Sequence, residues 1–149
     1  MTVAAVRGVV DREEVLNWYD RAMSEIDGVL TARGVRPTGP PGGLYDNELF
    51  TRERGAVIVY VPVKEPPTEG AVEPFVLPAI DLVTTIHVGS HDDIDITYAS
   101  LGTYLTQQAL RIDGPIREIY HAGPRDTDDS SAWRTEIGWP IFQVATRNP

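Results

Sequence analysis

The chain can be laid over itself. Residues 30–46 (LTARGVRPTGPPGGLYD) align without a gap on residues 105–121 (LTQQALRIDGPIREIYH), at an offset of 75. Leu30 meets Leu105, Thr31 meets Thr106, Arg36 meets Arg111, Gly39-Pro40 meets Gly114-Pro115, and Leu44-Tyr45 meets Ile119-Tyr120. On one side of this block IVYVPV (58–63) lies over EIGWPI (136–141), at an offset of 78. On the other, VAAVRGVV (3–10) lies over VTTIHVGS (83–90), at an offset of 80. Matches that keep the same order along both halves are the mark of a duplicated unit. The full 149 residues amount to one ordinary domain, so the two copies are expected to share it.

Each copy reads the same way. VAAVRGVV is β-branched and apolar, which predicts a strand. Asp11 with Glu14 three residues on resembles a capping box at a helix start. Val15, Trp18, Tyr19, Ala22, Ile26, Val29 and Leu30 then recur on one helical face, and Gly34 and Pro37 stop the helix. PTGPPGG (37–43) is turn-rich, GLYDNELF and AVIVYVPV predict two strands, and residues 65–74 a loop. In the second copy VTTIHVGS predicts a strand. Ile94, Tyr98, Leu101, Tyr104 and Leu105 predict a helix. PIREIYHAG and AWRTEIGWPIF predict strands around the loop PRDTDDSS. The expected fold is α+β: two tandem β-α-β-β repeats, about 1–64 and 75–149, with pseudo-two-fold symmetry around a central ligand cleft. One helix covers one face of so small a sheet, and the seam of paired units is a natural small-molecule site.

Composition narrows the chemistry. The net charge is −9, which disfavours direct contact with a phosphate backbone. There is no cysteine, so disulfides and thiolate metal sites are excluded. No apolar run reaches the length of a membrane span, and the charged start argues against a signal peptide, so the expected location is the cytoplasm. HDDID (91–95) reads as a helix cap and DTDD (126–129) as a solvated loop, so no metal is expected. The three histidines lack zinc-site spacing. No phosphate-binding glycine loop and no nucleophile elbow is present, so no cofactor is expected.

Alternation along the last strand puts Arg134, Glu136 and Gly138 on one face and Thr135, Ile137 and Trp139 on the other. The second set suits packing on a helix, which leaves Glu136 facing the cleft with its first-copy counterparts Ile58 and Tyr60. A carboxylate in an apolar cleft needs a partner. Two partners fit: a ligand cation, or an internal arginine such as Arg117 or Arg134. Trp18, Tyr45, Tyr60, Tyr98, Tyr104, Tyr120, Trp133 and Trp139 are candidate aromatic walls, each of which also suits core packing.

The segments PIREIYHAGPRDTDDSSAWRTEIGWPI (115–141) and LPAIDLVTTIHVGSHDD (77–93) resemble the GyrI-like effector-binding domain of MerR-type and AraC-type drug-sensing regulators. The resemblance covers nearly the whole chain. It implies two β-α-β-β repeats around a cleft, with Glu136 as the anchor for lipophilic, often cationic drugs and Tyr120 beside it. It leaves the role of Trp139 open. The implied function is a binding module that senses or sequesters such compounds, alone or as half of a regulator. No helix-turn-helix is present, so direct DNA binding by these residues is not expected. A strand usual before the position of Val3 is also missing. An alternative is hydrolysis of cyclopropane-bearing alkylating toxins, with Glu136 and Tyr120 in proton transfer. A third is an acidic inhibitor that binds a DNA enzyme. Pairing of edge strands makes a homodimer possible.

Overall fold

Val and Ala fill the buried positions of strand β1 (Thr2–Asp11), where the consecutive burial of Val3, Ala4, Ala5 and Val6 shows that both faces are covered. It is followed by a single 3-10 turn and helix α1 (Val15–Arg33). Next come β2 (Gly42–Tyr45), the short helix α2 (Glu48–Thr51), β3 (Arg54–Pro62) and β4 (Glu73–Val76). The second half runs β5 (Leu82–Val88), a 3-10 turn, α3 (Ile94–Gln107), β6 (Leu110–Ile112), β7 (Ile116–Ala122), another 3-10 turn and β8 (Arg134–Gln143). This computed structural model describes residues 1–78, 82–107, 110–112 and 115–143. Gly114, half of the repeated Gly-Pro pair, lies outside them.

The chain divides into two compact units, Met1–Ala79 and Ile80–Pro149. In the first, β1 lies antiparallel between β4 and β3, and β2 pairs with the far side of β3. Helix α1 buries Ala22, Met23, Ile26, Val29 and Leu30, the periodic face read from the sequence. Gly34 closes the helix at φ 66°, with its N–H on the Leu30 and Thr31 carbonyls. In the second unit β8 pairs antiparallel with β5, β7 and β6. Its helix buries Leu101 and Leu105.

Several sequence readings are corrected. Asp11 caps nothing: its carboxylate pairs with Arg54 at 2.8 Å, and α1 starts four residues later. GLYDNELF is a strand only as far as Tyr45. Asp46 Oδ1 accepts the Glu48 N–H at 3.2 Å and turns the chain into α2. Residues 65–74 are read as a loop and Val72–Pro78 as a strand segment of the second repeat; a strand does form there, β4, but it pairs with β1 of the first. The offset of 80 between the first strands is also one too large. Val3 faces Pro62 across β1 and β3, and Leu82 faces Pro140 across β5 and β8. With the 78 offset of β3 and β8, Val3 therefore corresponds to Leu82 and Gly8 to His87. In a pleated strand a slip of one residue exchanges the two faces.

The packing separates two glycines cleanly. A Cβ on Gly55 would lie 2.7 Å from the Leu49 backbone nitrogen, which α2 holds fixed. A Cβ on Gly28, on the exposed side of α1, would meet nothing within 4 Å. Gly55→Ala is expected to lose about 1–3 kcal/mol of unfolding free energy. Gly28→Ala is expected to gain about 0.5–1 kcal/mol. Urea unfolding of both variants checks the pair.

Candidate functional site

The registers of β5, β8 and β7 decide which side chains meet. His87, Thr135 and Tyr120 form one cross-strand row, and Thr85, Ile137 and Glu118 the next. Both rows face α3, because Thr97 and Tyr98 of that helix reach them. Glu118 is 9% exposed, the one carboxylate among the buried polar residues of the described chain. Its two oxygens accept from two phenols. The Tyr120 hydroxyl donates to Oε1 at 2.9 Å, and the Tyr98 hydroxyl donates to Oε2. Trp139, next in line on β8, stands edge-on to Tyr98 with ring centroids 6.1 Å apart.

Two imidazoles complete this face. His87 is buried, with Nε2 2.7 Å from the Ser90 carbonyl and Nδ1 2.8 Å from Thr97 Oγ1. A carbonyl oxygen only accepts, so Nε2 carries a proton. His91 sits in the turn before α3, with Nε2 2.9 Å from Thr135 Oγ1 and its ring 6.2 Å from that of Tyr120. Trp133 stands edge-on to His91 at 6.5 Å and donates its indole N–H to the Thr127 carbonyl.

Burial raises the Glu118 carboxyl above the usual carboxylate range, and desolvation is the largest cause. The two phenol hydrogen bonds and the charges of His91 and His87 oppose it. The arrangement is therefore a buried acceptor with its partners already in place. Facing a monovalent cation, it supplies a charge in a low-dielectric wall beside aromatic rings. Facing a strained electrophile, the same carboxyl and phenols form a proton donor and acceptor pair.

The sequence reading chose another carboxylate. Glu136 lies on the opposite face of β8, is 27% exposed at its side chain, and accepts from or pairs with His121 Nε2 at 2.9 Å. That internal partner is a histidine, not Arg117 or Arg134. Ile58 and Tyr60 lie on the side of their sheet away from α1, in a cluster with Val3, Ala5, Leu44, Phe75 and Leu77. Trp18 lies over Gly8 on the α1 side, and the Tyr45 ring lies over Gly43. Tyr104 is 47% exposed and lines a cavity of about 480 Å³ along β5 with Leu82, Thr84, Thr85, Ser100 and Leu101. Of the candidate residues, the structure gathers Tyr98 and Tyr120 at Glu118, with Trp139 against Tyr98, and brings Trp133 to them through His91. Sequence reasoning does not single out Glu118, and it takes His87 and His91 only as residues without zinc-site spacing. A signal was present: the offset of 75 sets Glu118 on Gly43, a residue type that needs no partner when buried.

Among the described residues no group of three or more His, Asp or Glu side chains is placed to hold a metal ion, and no helix is long and apolar enough to cross a membrane.

The sequence model of the GyrI-like small molecule binding domain matches residues 1–141. The EcmrR C-terminal domain is similar in structure, with 26% identity and a TM-score of 0.83 over 96% of this chain and 92% of that one. In the EcmrR–DNA complex the match, at 25% identity and a TM-score of 0.82, spans 96% of this chain and 54% of the EcmrR chain. SAV2435, solved bound to tetraphenylphosphonium, shares the fold at 14% identity and a TM-score of 0.64, over 95% of this chain and 88% of that one. No curated protein matches the chain.

The buried carboxyl sets a pH dependence with a definite sign. Its folded value is raised, so the native state keeps a proton that the unfolded chain has lost once pH passes 4.5. Stability from this group is thus full at low pH and falls as pH rises through the elevated folded value. Glu118→Gln removes that slope. Urea unfolding between pH 4.5 and 8 is expected to show the variant gaining on the wild type as pH increases.

Proposed function

The chain belongs to the GyrI-like family of small-molecule-binding domains, and we propose that its ligands are lipophilic cations held against Glu118. The observation that carries this reading is the buried carboxylate gripped by the Tyr98 and Tyr120 hydroxyls, with Trp139 edge-on to Tyr98. Such a group lowers its own energy when a poorly hydrated positive charge approaches, and the rings add cation–π attraction of about 0.5–2 kcal/mol each. The relative bound to tetraphenylphosphonium supports the ligand class, and the similarity to EcmrR supports a role as the effector-binding half of a transcription regulator. On this reading the module senses or sequesters its ligand without changing it.

A second reading rests on the same three groups. Glu118 with two phenols can take and return a proton, so a ring-strained alkylating toxin would be opened by water there. Turnover of such an electrophile at substoichiometric protein selects this reading. Saturable binding with unchanged ligand selects the first.

Titration calorimetry with tetraphenylphosphonium tests the proposal. Glu118→Gln keeps the shape and removes the charge, so affinity is expected to fall by about 30-fold or more, equivalent to about 2 kcal/mol. Glu136→Gln, on the opposite face, is expected to stay within about threefold of wild type. Equal affinity in wild type and Glu118→Gln would overturn the assignment.

A further inference from the structure

The two units offer an internal control. In the first, Gly8, Val57 and Tyr45 make one row across β1, β3 and β2, and Val6, Val59 and Gly43 the next. In the second, the same backbone positions hold His87, Thr135 and Tyr120, then Thr85, Ile137 and Glu118. One copy builds this layer from glycine, valine and one tyrosine. The other buries an imidazole, a hydroxyl and a carboxyl in it. The fold therefore does not need these polar groups, and burying them works against stability.

The polar layer is connected. Glu118 touches Tyr98 from α3 and Tyr120 from its own strand. His91 lies between Tyr120 and His87, at ring distances of 6.2 and 6.3 Å. Among the described residues, His91 and His87 are the basic groups that act on Glu118. From β8 the neighbours in the two rows are Thr135 and Ile137, which do not titrate. Asp93 Oδ1 stands 3.4 Å from His87 Nε2. Protonated or neutral, His87 keeps its bonds, because Thr97 Oγ1 either accepts or donates. The third histidine, His121, is on the other face with Glu136.

We propose that this cluster is a proton-for-cation exchanger: His87, His91 and Glu118 share a proton that the bound cation expels. The inference rests on the ligand reading above and adds its regulation. In the free protein a proton on the cluster balances the buried carboxylate. A second positive charge in the same wall is repelled, so one must leave. Imidazole exchanges its proton between pH 5 and 8, which makes ligand affinity responsive to physiological pH. The proton belongs to the coupled cluster and not to one residue.

Tetraphenylphosphonium is the probe, because it carries a permanent charge and no proton of its own. Calorimetry in two buffers of different ionisation enthalpy counts the protons released. About one half to one proton per ligand is expected near pH 6.5, with affinity rising up to about tenfold per pH unit below pH 7. His91→Gln, at a half-buried turn position, is expected to flatten that profile, and His121→Gln to leave it as it was. The wild-type measurement needs no variant to fold. Binding with buffer-independent heats and constant affinity overturns the exchange and leaves the ligand reading intact. Superposable profiles for wild type and His91→Gln overturn the part given to the histidines. No binding at any pH from 5.5 to 8.5 overturns the ligand reading, and the exchange with it.

Discussion

A carboxylate out of water sets the terms for everything on the α3-facing side of the second unit. The effective penalty for burying such an ion is several kcal/mol, and a hydrogen bond to a charged group returns about 1.5–3 kcal/mol. Two phenols on Glu118 therefore recover much of the penalty but add no positive charge. The identity of the partners matters here. An arginine or lysine would have neutralised the site permanently. Tyrosine hydroxyls satisfy the lone pairs and leave the field of the negative charge in place. Among the described residues, the basic groups that act on Glu118 are the imidazoles of His91 and His87.

The duplication explains how a small domain tolerates that arrangement. The first unit holds the equivalent layer dry: Val57 and Val59 are fully buried, Trp18 covers Gly8, and Tyr45 folds over Gly43. It also has an apolar cluster on its other face, around Val3, Ala5, Tyr60 and Leu77. The second unit spends the same backbone positions on polar groups. One copy supplies stability at positions where the other supplies chemistry, and neither backbone register has to change.

Much of this architecture was legible in the chain. The helical face of α1, the Gly34 stop and the tandem arrangement follow from periodicity and self-alignment. The family resemblance was also carried by the sequence. The candidate site was only half legible. Tyr98, Tyr120, Trp133 and Trp139 can be named as aromatics from the sequence, but the sequence reading centres on Glu136, whereas the buried carboxyl that Tyr98 and Tyr120 meet is Glu118. Two physical facts account for this. Alternation tells which residues share a face and not which face a helix covers, so the helix-packed face was taken as closed to chemistry. A register error of one in β5 then set Gly8 against Val88 and hid the Gly8–His87 correspondence. The pairing of Glu118 with Gly43 was present in the gapless alignment, but a buried acid is recognised as such only when the opposing row is known to be valine.

The kind of cation suited to this wall follows from the balance of solvation. A small, strongly hydrated cation loses more by leaving water than one desolvated carboxylate returns, because its own Born penalty is of the same order as that of Glu118. A cation whose charge is spread over a bulky apolar framework has little hydration to lose, and it gains from every aromatic face it covers. Tyr98 and Tyr120 stand at the charge, Trp139 stands against Tyr98, and among the described residues the basic groups that act on Glu118 are His91 and His87. For the lipophilic cations proposed above, selectivity does not require a shaped socket. It arises from placing one negative charge where only a poorly hydrated positive charge can reach it at a net gain, which is also why ligands of different shape but similar hydration are expected to compete for the same face.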